Sequence, residues 1–313
     1  MKEYTAEEWL PSECGLGESP LYRRADKTFF FVDIKNCRVH SVPLSGGWDQ
    51  RYTLHLDECV TRLDAVEGRS DVLAAETRLG LALLNPNNGA LERVAEVTHE
   101  ADPGLDNKVR MNDGGIDARG RWWATTMATD EESKLGRLWR LDFDKGQGEG
   151  GEGAKKAVVR DMSTGNEDEE TAPVINGIVW SPDDKIMYVS HTSEGKIFQY
   201  DYDVESGSAT NRRLLAQLED GGMPDGLAVD VEGHVWAAAN SKGKLVRISP
   251  ETGEVTATCA VPGAKMVSCP GFGGEDMRTM FITSIAAPED GSTGNVYRVR
   301  VDVPGLRRHE LKL

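Results

Sequence analysis

Two stretches of this chain are diverged copies of one another. "NGIVWSPDDKIMYVSHTSEGKIFQYDYDVESG" (176–207) and "DGLAVDVEGHVWAAANSKGKLVRISPETG" (225–253) each open on a polar residue followed by glycine. An alternating apolar strand follows, then a turn ("SPDDK" or "VEG"), a second strand ("IMYVSH" or "HVWAAA"), another turn and a third strand. Period-two alternation marks strands with one buried face. The frame recurs at 18–42, 64–89, 112–144 and 268–301, and the copy at 64–89 is the weakest. Six strand-rich units of about fifty residues, without sustained helical periodicity, predict an all-β fold, a six-bladed β-propeller. It spans 1–313 as a single domain. A sandwich of similar strand count would not require a repeat.

Between the third and fourth copies, the Gly- and acid-rich segment 144–173 breaks the frame. It reads as a long loop or strand connection. Its "NEDEE" run (166–170) could attract a cation loosely, but reads first as a solvated loop. The net charge of −16 repels phosphate backbones and anionic lipid, so neither nucleic acid nor a membrane is expected as a partner. No apolar run is long enough to span a bilayer. The start, "MKEYTAEEWLPSECG", lacks the apolar core of a secretory signal. The five cysteines, Cys14, Cys37, Cys59, Cys259 and Cys269, are far apart and form no CxxC pair. They are expected to be buried or idle thiols in a reducing, cytoplasmic compartment.

With the repeats in register, one position stands out: the residue just before the first strand of each unit. It holds Glu18, Asp113 (beside Asn112), Asn176 and Asp225. In a propeller the first strands line the central channel, so four blades would direct oxygen-bearing side chains toward one axis. Clustered carboxylates repel, and a cation relieves the repulsion. Glu, Asn and Asp are hard oxygen donors that favour Ca²⁺, Mg²⁺ or Mn²⁺, while an open three-ligand site also accepts Zn²⁺ or Fe²⁺. Asp-Gly and Asn-Gly are also common turn dipeptides, so the residues alone leave turn capping open. No GxSxG element, triad-like serine or cysteine, or phosphate-binding loop appears.

The segments "GLGESPLY", "RMNDGGIDARGRWWATTM", "INGIVWSPDDKIMYVSHTSEGKIFQYDYD", "NRRLLAQL", "GMPDGLAVDVEGHVWAAANSKGKLVRISPETG" and "SCPGFGGEDMRTMFIT" together resemble the senescence marker protein (regucalcin)/gluconolactonase family. The resemblance implies a six-bladed propeller and a metal-dependent hydrolase of sugar lactones. It places the family's metal ligands on Glu18, Asn176 and Asp225. Calcium is the first choice of cation for this hard-oxygen set, and because calcium polarises a carbonyl weakly, Asp225 is the candidate general base. It places substrate contacts on Arg110 and Asn112, and a further acidic contact on Asp130, with Glu131 as the neighbour to consider. A small-molecule lactone is the implied partner. Many members carry Asp in the second strand of the fourth unit, where this chain has His191. That change and the 144–173 insert keep two alternatives in view. One is the same metal site acting on another ester, a non-sugar lactone or an organophosphate. The other is a propeller that binds calcium without catalysis.

Overall fold

The computed structural model describes residues 1–98, 103–143, 157–163 and 171–313, and it folds the six copies into six antiparallel sheets. Each sheet is a meander that starts on the pore. The six inner strands are Gly17–Arg23, Arg62–Val66, Val109–Ile116, Ile175–Trp180, Met223–Val229 and Val267–Gly273. They begin blades 1 to 6 in that order.

The repeat shows three strands per unit, whereas each blade has four or more. The unforeseen outer strands include Leu91–Glu96 and Ser208–Gln217, which are largely solvated and carry no clean alternation. Ala157–Asp161, inside the 144–173 insert, is the outer strand of blade 3. Residues 144–156 and 164–170, with the "NEDEE" run, lie outside the described residues. The N-terminus closes the ring. Glu7–Leu10 is the outer strand of blade 6, and Lys2–Thr5 adds to blade 5 in parallel with Val255–Ala260.

Apolar burial follows the ring. Six hydrophobic clusters each join two neighbouring blades; Trp123, Ile178 and Trp180 pack together between blades 3 and 4, and Phe29, Phe31 and Phe281 between blades 1 and 6. No blade therefore buries its faces alone, which explains why the repeat has to close. Aspartates fix the turns after two inner strands. Asp117 Oδ1 accepts the backbone N–H groups of Arg119 (2.9 Å) and Arg121 (3.0 Å). Asp230 Oδ1 does the same for Glu232 and His234, both at 3.1 Å.

Two cysteines depart from the expectation of idle thiols. Cys37 and Cys59 are joined by a disulfide, while Cys14, Cys259 and Cys269 are free and buried. The turn holding Cys37 meets the linker into blade 2, where Leu56 N–H donates to Cys37 O at 2.9 Å. Linear spacing does not reveal that approach. No helix among the described residues is long and apolar enough to cross a membrane.

Candidate metal centre

The polar residues of the repeat sit inside the inner strands, not ahead of them as the register suggested. Pairing breaks at the same place in several blades. Asn112–Asp113 oppose Thr125, Asn176–Gly177 oppose Ser190, and Asp225–Gly226 oppose Ala238. Blade 1 has the same irregularity directly after Glu18. Such two-against-one bulges bend a strand and re-aim a side chain. Here they turn Asn and Asp side chains out of the pleat near one end of the pore.

The glycines beside them are required by close packing. A Cβ on Gly177 would lie 2.7 Å from Leu227 N, and one on Gly226 would lie 2.3 Å from Cys269 Sγ. Each glycine lets its inner strand press on the next blade. Asn176-Gly177 and Asp225-Gly226 are therefore bulge dipeptides, and the turn reading does not apply to them.

Asp225 is the best-held member. Its Oδ1 accepts from Asn176 Nδ2 (2.5 Å) and its Oδ2 from Asn240 Nδ2 (2.9 Å). Asn176 Nδ2 also donates to Thr192 Oγ1 at 3.2 Å. The backbone carbonyl of Asp225 accepts from Ser190 Oγ at 2.7 Å, which ties blade 4 to blade 5. Burial pushes the Asp225 carboxyl up to about 7, and the nearby charge of Asp113 adds to the rise against the amide hydrogen bonds. Glu18 is also raised well above the ordinary carboxylate range, by burial first and then by the charges of Asp225 and Asp113. The structure thus brings Glu18, Asn176 and Asp225, two like-charged carboxylates and an amide, into one buried group from blades 1, 4 and 5.

Does a divalent cation suit this group? Two carboxylates raised by burial and repulsion make no salt bridge among the described residues, although Arg62 and Arg110 act on them at longer range, and all three side chains offer hard oxygen. Asn240 Oδ1 is buried and accepts no hydrogen bond. The donor chemistry fits a hard cation held by Glu18, Asn176 and Asp225. Asn240 was not singled out from the sequence. The available signal was repeat phase: Asn240 in blade 5 and Thr192 in blade 4 align, and each bonds the bulge residue of its own blade.

Asp113 belongs to a different arrangement. Arg62 Nη1 pairs with Asp113 Oδ1, and Arg62 Nε lies 2.7 Å from Asp64 Oδ2. The Asp113 carboxylate also accepts the Gly114 N–H at 2.8 Å. Arg62 thus neutralises the acid that the register had grouped with Asp225. Its own sequence copy was the weakest, which hid it.

Arg110 is partly buried near the same pore end. Burial lowers its guanidinium, opposed by the charges of Glu131, Glu18 and Asp225. Its Nη1 donates to Met111 O (2.9 Å) and Asn112 Oδ1 (3.2 Å), while Asn112 Nδ2 donates to Ile175 O (2.9 Å). Asp130 is placed elsewhere. It is exposed, and its carboxylate caps a turn, accepting Glu132 N–H (3.0 Å), Ser133 N–H (2.9 Å) and Ser133 Oγ–H (2.6 Å). Those bonds hold its carboxyl down at about 2. The neighbour whose charge acts on Arg110 is Glu131. His191 is buried with its ring edge-on to Phe198 at 4.8 Å, a packing contact.

Two other sets of donors lie within 4.8 Å of one another: Cys14, Asp33 and His40, and Asp230, Glu232 and His234. In both, the aspartate is already engaged. Asp33 accepts Leu16 N–H (3.2 Å) and Asn36 Nδ2 (2.6 Å), and Asp230 holds its turn and Arg247.

Comparison with known proteins identifies the family and the fold. Residues 16–286 match the family described as the SMP-30/Gluconolactonase/LRE-like region. Regucalcin of Oryctolagus cuniculus is 33% identical over 278 residues, which cover 88% of this chain and 84% of that protein. Among solved structures, a luciferin-regenerating enzyme superposes with a TM-score of 0.83 at 25% identity, covering 98% of this chain and all of that one. A calcium-binding regucalcin of Agrobacterium tumefaciens shares the fold, with a TM-score of 0.83 at 22% identity and 99% coverage of both chains.

Proposed function

The chain belongs to the SMP-30/gluconolactonase/LRE-like family, and from that premise we propose that it is a divalent-cation-dependent hydrolase that opens a sugar lactone. The observation that carries the proposal is the buried, acidic group of Glu18, Asn176 and Asp225, whose carboxylates make no salt bridge among the described residues, beside a partly buried Arg110. Those three side chains would hold the cation, with calcium the first choice on donor chemistry. When bound, the cation supplies Lewis acidity that polarises a lactone carbonyl and offsets the negative charge developing on its oxygen.

The rest falls to the chain's own residues. Asn176 and Asn240 grip the two oxygens of Asp225 and fix the plane of its carboxylate. A deprotonated Asp225 takes a proton from the attacking water as that oxygen bonds to the carbonyl carbon. As the ring C–O bond breaks, the leaving alkoxide recovers the proton from Asp225, and the product is a hydroxy acid. Among the described residues Arg110 donates through Nη1, and its Nε and Nη2 would serve substrate oxygens. Asn112 holds Arg110 in place and offers the second lone pair of its Oδ1 to a substrate hydroxyl. In this reading Glu131, rather than Asp130, is the acid at the substrate end.

The test is a pH-indicator assay across a panel of aldonolactones, aryl esters and phosphotriesters. Chelator-treated protein should lose aldonolactone hydrolysis and regain it with a divalent ion. Full activity in Asp225→Ala overturns the mechanism, and a preference for esters or phosphotriesters overturns the substrate class.

A further inference from the structure

At the end of the pore away from Asp225, the C-terminal tail crosses the opening. Leu306 N–H donates to Val229 O of blade 5 (2.8 Å), and Leu311 N–H donates to Ala65 O of blade 2 (2.9 Å). His309 Nε2 lies 2.8 Å from Asp184 Oδ1 of blade 4. Beneath this strap is a cavity of about 490 Å³. That volume is in the range of small-molecule sites. Volume does not mark the candidate metal centre; charge does, and the two lie at opposite ends of the inner strands.

The cavity wall is apolar where the inner strands end: Leu21, Ile116, Ile178, Leu227 and Phe272 all contribute and all are buried. Its polar lining is cationic, although the chain as a whole carries a net charge of −16. Six arginines, Arg23, Arg24, Arg62, Arg69, Arg307 and Arg308, line it against the carboxylates of Asp64, Asp184 and Glu310. Arg23 and Arg69 are paired with Asp26 and Asp71, and Arg62 with Asp64 and Asp113. Among the described residues Arg308 reaches one acid, Asp64, at 3.8 Å, which Arg62 already holds.

Three polar atoms in this lining lack hydrogen-bond partners among the described residues, one of them the hydroxyl of Tyr22. Arg308 Nη1 is buried without a hydrogen bond, and so is the indole Nε1 of Trp180. Trp180 is only 6% exposed. Unsatisfied buried donors are costly, and a guanidinium and an indole N–H can only donate. The group that completes them must bring acceptor oxygens, and next to Arg308 a negative charge is favoured. The apolar wall asks for a hydrocarbon or aromatic body.

We propose that the tail-closed cavity binds an organic anion with an apolar body, its carboxylate or phosphate head on Arg308 and Trp180. This site is separate from the metal centre and does not rest on the lactonase reading. The experiment is titration calorimetry on the full-length, cation-loaded protein with decanoate, decyl phosphate, decan-1-ol and inorganic phosphate. One of the two amphipathic anions should saturate a single site, and which one does so identifies the head group. Decan-1-ol and inorganic phosphate should each bind at least ten-fold more weakly, and excess aldonolactone should not displace the anion. Arg308→Gln should weaken binding about ten-fold or more, the scale of a lost charge-assisted pair. Trp180→Phe, which keeps the aromatic wall, should weaken it a few-fold and serves as the second arm if Arg308→Gln unfolds. No saturable binding of either anion, equal binding of decan-1-ol, or wild-type affinity in a folded Arg308→Gln overturns the proposal.

Discussion

Asp113 and Asp225 sit at the same bulge of blades 3 and 5, and both are almost fully buried. Asp113 is the second residue of its bulge and Asp225 the first, and their surroundings differ. Asp113 faces the guanidinium of Arg62, which also holds Asp64, so its charge is answered from within the chain. Asp225 faces two amides, Asn176 and Asn240, makes no salt bridge among the described residues, and feels the like charge of Asp113 and the weaker opposing charge of Arg110. Amides orient a carboxylate but cannot neutralise it. One bulge position therefore yields a structural ion pair, and the other yields an acidic site that asks for a cation. Backbone geometry places the acid; the neighbouring blade decides its use.

The contrast breaks most directly at Asp225. Asp225→Asn keeps shape but removes the base, and general-base catalysis alone is worth up to about 10⁴-fold. We expect kcat/KM for an aldonolactone to fall about 10³-fold or more, with the fold intact by circular dichroism. A loss under ten-fold would make the two aspartates equivalent and end the distinction.

Arg62→Leu attacks the other side. It strands Asp64 and Asp113 in the interior, and removing one partner of a buried pair costs about 3–5 kcal/mol. Urea unfolding should show that loss. An unchanged unfolding free energy would mean that Arg62 does not neutralise Asp113.

The third expectation concerns pH. The folded carboxyl of Asp225 lies at about 7 without a cation, above the ordinary value for an unfolded Asp. Its protonated form is therefore favoured on folding, and the cation-free protein loses stability as pH rises from about 4 through about 7, by up to ~1.4 kcal/mol per pH unit for one proton. The same proton competes with the cation, so divalent-ion affinity should rise with pH below about 7 and level off above it. Affinity measured by calorimetry from pH 5 to 8 checks this, and a flat profile contradicts it.

Smaller effects refine the substrate side. Arg110→Lys replaces a planar fork by a point charge, and KM should rise several-fold to about ten-fold with less change in kcat. Asp130→Asn touches an exposed turn and should alter kcat/KM by less than about two-fold, the usual scale of surface changes. Glu131→Gln should have the larger effect of the two; the reverse order would return the substrate contact to Asp130.

Much of this was legible in the residues. The alternation and recurrence of 176–207 and 225–253 show blade number and strand polarity, because those depend on which residues must be buried. The recurring oxygen donors show Asn176 and Asp225 at one phase, with Glu18 one residue ahead of the matching bulge of blade 1. The outer strands were not legible, since a strand wetted on both faces has no pattern to read. The first-strand boundaries were misjudged because a bulge breaks alternation just where Asn176 and Asp225 sit.

The sequence by itself determined the ring: six apolar units, each unable to bury its faces alone, must close on one another. Only the tertiary structure decided which acids are answered and which are not. Arg62 lies 51 residues from Asp113 in the chain, and Asn240 reaches Asp225 from the next strand of the same blade. Whether a buried charge has a partner depends on distances across blades and turns. Those are fixed by packing, not by the spacing of residues along the chain.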